Sequence, residues 1–569
     1  MIMHWSLGGM PETMRSGRCH LRIAKTAGPK STPLSAIRDR DPREQSSETN
    51  SLISCGAHTV ACNMPSLKKQ FFRGASWKIV TLSGSASVST IVQLALAFLL
   101  SSEEFGVYAL AIASASLVQI ARDGGMKTTL VRLDPASFRE QARAGLLVSF
   151  IYSIAVAALL FGLAAFAGDF FGDAEIGDLI RVIAVATPLS ALAPVASAGL
   201  YVGMHYRTAT LLELVSAIVR HALTLAFAIG GFGPLSFVLP LPFVYAFDSG
   251  ANWIALRHHG LMPNRVISNV ITAAKSGFWV LGASWFALLY QQIDYLVLGR
   301  LSSTLLVGYY FFAYQLVMKV FGLIDGLRDV AVSGLALASR SSNNAQRTVQ
   351  ALGLNAGAAV SVLFLFLATM SEPLIHIVLT DKWSLSIGSV QALALAMPTV
   401  AFLRFVEWYV QAKGSFGTWT GIVASRTLVI GAAAAIGATW SNSDDPTTVA
   451  IWVSAAITLL FPVIVVAVGK MQGFEFSSGL RSFLAPHSFL LFSALGLIAL
   501  GRLLNLQSPF LGALLMFVLS LLVTMVGFRV ILRRTAQGLL DQFEGSRGSG
   551  VVVLLTGLSP GNERNQARR

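Results

Sequence analysis

The sequence predicts an all-α polytopic membrane protein of about fourteen transmembrane helices, assembled from one bundle used twice. Three observations carry this reading. The first is composition. The 569 residues are 54% hydrophobic and only 12% charged, with a mean hydropathy of +0.65, whereas a soluble domain carries about 25% charged residues. The second is internal repetition. Leu100, Ser101 and Ser102 are followed by Gly106 and Tyr108; Leu301, Ser302 and Ser303 are followed by Gly308 and Tyr310, with the glycines 202 residues apart. Ala186, Thr187 and Pro188 recur as Ala396, Met397 and Pro398, 210 residues on. Weak internal symmetry of this kind is common in transporters. These residue types are also ordinary at membrane interfaces, but the matching order of runs and turns favours duplication. The third observation is the alternation of basic residues between successive loops, treated below.

Taken in order, residues 1–66 are polar, rich in Ser, Arg and Pro, and without apolar periodicity, so they are expected to be disordered. No apolar core precedes a small-residue cleavage site, which argues against a secretory signal. Met64 opens MPSLKKQFFRGASW, which looks like a natural membrane-protein start, so the expected true start is Met64; a regulatory tail is the alternative. Cys19, Cys55 and Cys62 all precede the first span, and neither a disulfide framework nor metal-ligand spacing is visible. Apolar runs then fall near 77–100, 105–121, 144–167, 178–202, 209–230, 234–256, 274–298, 304–326, 350–370, 387–411, 416–438, 446–469, 485–504 and 509–532. Most are near the roughly 20 residues that a 30 Å hydrocarbon core requires. The polar, Gly/Ser-rich stretch after Arg534 is expected to be a disordered cytoplasmic tail.

Orientation follows from Lys and Arg in the loops. One alternating set holds fifteen of them, beginning with Arg122, Lys127, Arg132, Arg139 and Arg143; the opposite set holds three, Arg300, Lys382 and Arg502. The first set is therefore expected to be cytoplasmic, as are both termini. The net charge of +14 is absorbed by these loops and tails and does not call for nucleic acid.

Ionisable residues within the spans are costly and usually face a bundle interior or a wet cavity. Here they include Glu213, Arg220, Asp248, Asp294, Lys319, Arg404, Glu407 and Arg426. Arg220, Lys319 and Arg426 sit near mid-span with no obvious partner on their own helices, which favours an anion-binding role over a structural one. Arg404 and Glu407, three apart, share a helix face, and a buried pair and a functional pair are equally compatible with that spacing. Asp294, Asp248 and Glu407 are the candidates for handling a coupling ion. Lys275, Arg300 and Asp325 lie near span ends and read as anchors or caps. There is no phosphate-binding loop for ATP, no cofactor or metal signature, and no arginine ladder of a voltage sensor.

The stretch QQIDYLVLGRLSSTLLVGYYFFAYQL (291–316) resembles the start of the second lobe in bacterial polysaccharide flippases of the Wzx type, within the superfamily that includes the lipid II flippase and MATE exporters. Phe105, Gly106, Val107 and Tyr108, with Asp123, Gly124 and Gly125, resemble its second helix. LYVGMHYRTATLLE (200–213) resembles the link between helices four and five, and SEPLIHIVLTDKW (371–383) the exit of helix nine. A proline common near the end of helix eight is missing from VAVSGLAL (330–337).

The resemblance implies two six-helix lobes around a central cavity, plus two C-terminal helices. The boundaries that follow are an N-lobe at 67–257, a C-lobe at 258–470, two further helices at 471–532 and a tail at 533–569. It implies a transporter, not an enzyme, which moves a polyprenyl-diphosphate-linked oligosaccharide from the cytoplasmic to the outer leaflet of a bacterial inner membrane by alternating access. A proton or sodium ion would be coupled. Membrane lipids and polysaccharide polymerase machinery are the further expected partners. The diphosphate would rest on Arg220, Lys319, Arg404 and Arg426, and Asp294 matches a position that the family often keeps acidic. Two other classes stay open: a MATE-like exporter of cationic drugs, whose cavity should be dominated by carboxylates, and a membrane-embedded polymerase or ligase, which would need a larger outer loop than any present.

Overall fold

In a computed structural model of the chain, the described residues are 81, 84–264, 270–325, 361, 363–379, 381–440, 445–472, 488, 491–500, 515, 518–519 and 522–523. The N-terminal extension, the stretch 330–337, most of the expected spans 350–370 and 509–532, and the C-terminal tail lie outside them.

The described residues form helices α1 (Gly84–Leu99), α2 (Ser102–Gln119), α3 (Met126–Leu130), α4 (Pro135–Phe171), α5 (Ala174–Ala186), α6 (Ala193–Val202), α7 (Tyr206–Ile229), α8 (Pro240–His258), α9 (Val270–Leu301), α10 (Thr304–Asp325), α11 (Leu363–Leu379), α12 (Ile387–Ala412), α13 (Phe416–Trp440), α14 (Pro446–Gln472) and α15 (Leu491–Leu500). Six of the described helical stretches are long and apolar enough to cross a membrane, or seven if one bent pair counts as a single span. Their outer faces suit lipid: Ile229, Leu428 and Leu459 are 69%, 74% and 73% exposed, an arrangement that water would penalise and hydrocarbon would not.

Helix starts are set by local chemistry. Ser101 caps α2 through a reciprocal capping box, its hydroxyl accepting from the Glu104 amide at 3.1 Å while Glu104 accepts from the Ser101 amide at 2.6 Å. Asp123 accepts the amides of Gly125 and Lys127 at 3.0 and 3.1 Å, which turns the chain from α2 into α3. Asp134 caps the 37-residue α4, with Pro135 in its first turn. Hydrogen bonds from Ser137 hold the Asp134 carboxyl below the usual carboxylate range.

The expected span 178–202 is not straight. It breaks into α5 and α6, bent by 45° across a 3-10 turn at Thr187–Ser190. Pro188 and Pro194 cannot donate to the helix ladder, and neighbours satisfy two carbonyls at the break: Ser149 donates to Ala191 at 2.7 Å and Ser249 to Leu189 at 2.5 Å. Broken backbone at membrane depth persists only where such partners exist. The repeated mark at Pro398 behaves differently, because α12 continues unbroken through it. The second pair of sequence marks therefore does not correspond to a second break.

Packing divides the bundle. In the first half α4 packs on α5, α6 on α8 and α7 on α8; in the second, α9 on α13, and α12 and α13 on α14. The halves meet along α2 with α10 and α9, and along α4 with α9. A shared core crosses this seam, with Phe105, Tyr310, Phe312 and Trp383 fully buried in it.

Candidate functional site

The first pair of repeated sequence marks meets face to face. A Cβ added at Gly308 would fall on the carbonyl oxygen of Ser102, and one at Gly106 on the carbonyl oxygen of Thr304. The relation is reciprocal, since Ser102 and Thr304 are themselves 202 residues apart, as are the glycines. Only glycine allows the α2 and α10 backbones to approach this closely. The contact lies at the N-terminal ends of both helices, the end that the Lys/Arg bias assigns to the outside. Around it, Lys382 donates to the Leu100 carbonyl and the Trp383 indole donates to Ala97 at 2.8 Å. The Trp383 ring packs on Phe312 and Phe105, at 4.2 and 5.1 Å between centroids. Main-chain contact, charge and aromatic packing together seal the two halves at this end.

Beneath the seal lies a cavity of about 310 Å³ between α1, α2, α7 and α10. Its polar walls are Ser89 and Gln93 of α1, Tyr108 of α2, Arg220, His221 and Thr224 of α7, and Gln315 and Lys319 of α10. Among the described residues no carboxylate lines it. Arg220 and Lys319, 99 residues apart and from opposite halves, thus face one space. Lys319 donates to Ser89, and the Gln93 amide nitrogen, buried, has no hydrogen-bond partner among the described residues. Tyr108 stacks on Phe237 at 4.1 Å and turns its edge to Phe311, forming the roof towards the seal. A cradle with two cations, donor amides and no acid is suited to an oxyanion carrying polar groups.

The other repeated tyrosine has a different task. Tyr310 donates to Asp294 at 3.0 Å, and the Tyr295 amide donates to the same carboxylate, also at 3.0 Å. Asp294 is 3% exposed and has no salt bridge among the described residues. Tyr295, Tyr310 and Tyr314 ring it with edge and stacked contacts, and the buried Tyr295 hydroxyl has no partner among the described residues. Tyr310 lies two residues from Gly308, so the hydrogen-bond donor to the Asp294 carboxylate of α9 and the seal share one turn of α10.

The sequence model of a family described as polysaccharide biosynthesis protein matches residues 95–388, just over half of the chain. The chain belongs to this family. Among solved structures, the lipid II flippase MurJ in an inward closed conformation is similar with a TM-score of 0.61 at 13% identity, covering 80% of this chain and 99% of that one. A multidrug resistance MATE family transporter of the MOP superfamily, inward-facing, gives 0.57 at 15% identity over 71% and 99%. A MOP superfamily transporter from Pyrococcus furiosus, described as having a binding pocket of reverse polarity, gives 0.53 at 14% identity over 70% and 95%. A comparison with curated proteins finds no match. The fold of this polysaccharide biosynthesis protein is thus similar to that of the MOP superfamily transporters.

The remaining sequence-predicted residues of this family member do not join the cavity. Arg426 donates to Glu407 and to the Tyr290 hydroxyl, its guanidinium 4.1 Å above the Tyr290 ring, and Arg404 donates to the same Glu407 at 3.2 Å. This arrangement joins α9, α12 and α13 inside the second half, with the side chains of Arg426 and Glu407 only 3% and 2% exposed. Asp248, on α8, lies outside the cavity lining. Glu213, seven residues before Arg220 on α7, accepts from the Tyr201 hydroxyl at 2.8 Å. Removing one member of a buried ion group strands the others. Glu407→Leu is therefore expected to cost about 3–5 kcal/mol of stability, read as a fall in the thermal unfolding midpoint in detergent. A variant as stable as the wild type would argue against a structural role for the triad. The cavity residues that sequence reasoning passed over are Ser89, Gln93, His221 and Gln315. Two glutamines inside apolar runs were the available signal.

Proposed function

We propose that this chain carries a polyprenyl-diphosphate-linked oligosaccharide from the cytoplasmic to the outer leaflet of a bacterial inner membrane by alternating access. The observation that carries the reading is the cavity between the halves, with Arg220 and Lys319 on opposite walls and, among the described residues, no carboxylate in its lining. A diphosphate is a compact double anion, and two cations at mid-span would replace part of the water it leaves behind. Gln93, Gln315 and Ser89 would serve sugar hydroxyls, while the polyprenyl chain stays in lipid. A MATE-like exporter of cationic drugs would want the opposite polarity, and this cavity argues against it. We place the N-lobe at 67–257, the C-lobe at 258–470 and two further helices at 471–532, with both termini cytoplasmic and the full count near fourteen spans. Of the four cations considered for the substrate, Arg220 and Lys319 fit the task; Arg404 and Arg426 serve the architecture of the second half.

The test is reconstitution in liposomes with a fluorescent polyprenyl-diphosphate glycan and a membrane-impermeant quencher. Protein-dependent movement of the glycolipid between leaflets supports the reading. Failure to move it, together with export of a cationic dye, would favour the MATE-like alternative.

Asp294 is the coupling site in this scheme. A buried carboxylate without a paired cation among the described residues is a place where a proton or sodium ion supplies the missing positive charge. Its bond to Tyr310 would pass that event to the Gly308 contact. Asp294→Asn is expected to bind glycolipid as the wild type does, to flip it about tenfold or more slowly, corresponding to a lost charged hydrogen bond, and to lose any response to an imposed ion gradient. Normal turnover that follows the gradient as before would remove Asp294 from the coupling role and leave Asp248 and Glu407 to be tested.

A further inference from the structure

A second and larger cavity lies away from the central one. It is about 610 Å³ in volume and its lining is almost entirely apolar, including Leu117 of α2, Leu163 and Phe166 of α4, Leu296 of α9 and Ala435 of α13. It is a groove between the halves, with α2 and α4 on one wall and α9 and α13 on the other. Its volume falls in the range of roughly 300–1,000 Å³ typical of ligand clefts.

Among the described residues, Arg300 is the one charged member of its lining. It stands at the last turn of α9, exposed, with its guanidinium 5.4 Å from the Phe170 ring at the matching end of α4. This position is against the general trend, since the loops at that end of the bundle hold only three Lys or Arg residues. A cation kept there against the bias, on an aromatic shelf, does more than anchor a helix. From that end the groove runs down α4 from Phe171 to Leu163, eight residues or about 12 Å at 1.5 Å per residue, within the roughly 15 Å hydrocarbon depth of one leaflet.

We propose that this groove is a binding site for one anionic phospholipid of the outer leaflet, with an acyl chain between the halves and the phosphate on Arg300. The chain fits an apolar trough within one leaflet's depth. The single cation at headgroup level selects a net-negative lipid over a zwitterionic one. A lipid held there touches α2 and α4 as well as α9 and α13, so it joins the two halves beside the seal.

The test is native mass spectrometry of the full chain released from nanodiscs of equal phosphatidylglycerol and phosphatidylcholine with matched chains. The wild type should retain phosphatidylglycerol in preference. Arg300→Gln should lower that preference about tenfold, the loss of one charge-assisted contact, and Arg300→Lys should restore part of it. Leu163→Trp, which fills the groove, should reduce retention of both lipids. Equal retention of the two lipids by the wild type, or an undiminished preference in Arg300→Gln, overturns the proposal. Because Arg300 is exposed, the glutamine variant folds without a buried vacancy and carries the test alone if Leu163→Trp fails to assemble.

Discussion

Gly308→Leu is expected to open the outer end of the protein. The Gly308 Cα faces the Ser102 carbonyl with no room for even a methyl group, so a leucine forces α2 and α10 apart. Overpacking of this kind costs about 1–3 kcal/mol in a well-packed interior, and every 1.4 kcal/mol shifts an equilibrium tenfold. If the halves rock apart at this end during transport, that strain is relieved in the separated state, and the population moves towards it by roughly ten- to a hundredfold. The measurement uses a single cysteine at Gln93 in the central cavity, with Cys19, Cys55 and Cys62 replaced, and an impermeant thiol reagent added to intact cells. Labelling should rise steeply in Gly308→Leu and in the reciprocal Gly106→Leu. Gly322→Leu on the same helix, where a Cβ meets nothing within 4 Å, should label like the parent. A folded Gly308→Leu protein that labels no faster would mean that the contact is static packing and not a gate.

Arg220→Ala is expected to reduce glycolipid flipping by more than about tenfold while leaving abundance near normal. The guanidinium faces the cavity, and among the described residues no carboxylate pairs with it, so its loss strands no buried charge. Glu213, on the same helix, has its own bond to Tyr201. A charged hydrogen bond is worth about 1.5–3 kcal/mol, or roughly ten- to a hundredfold in rate if it is made in the rate-limiting state. Arg220→Lys should recover part of the activity, because it keeps the charge and loses the planar fork that engages two phosphate oxygens. Paired measurement of flipping in proteoliposomes and of protein abundance separates the outcomes. Low abundance with normal activity per molecule would make Arg220 a structural residue. The contrast with Glu407→Leu is instructive, since there the loss should appear in stability first.

The amino-acid sequence by itself determined the class of the protein, the positions of most helices and the existence of a repeated element, because each is written locally. Apolar run length and loop charge need no partner to be read. The capping box at Ser101 and Glu104, the Asp123 turn and the capped start of α4 at Asp134 are likewise set by residues within a few positions of one another. Even the Gly106 and Gly308 marks could be recognised as equivalent from spacing alone.

Tertiary structure alone decided what those marks do. Each glycine lies against the carbonyl of the other half, and nothing in either stretch states that its counterpart is its neighbour. The same limit governed the ionisable residues. Arg220, Lys319 and Arg426 look alike as cations in apolar runs, yet two share a cavity while the third is held by Glu407 and Tyr290, 19 and 136 residues away in sequence. The break at Pro188 and the unbroken helix through Pro398 also differ although the marks are alike. At the first, serines from α4 and α8 bond the carbonyls of Ala191 and Leu189 at the break. Burial and pairing depend on which helices pack together, and that is settled by side chains far apart along the chain.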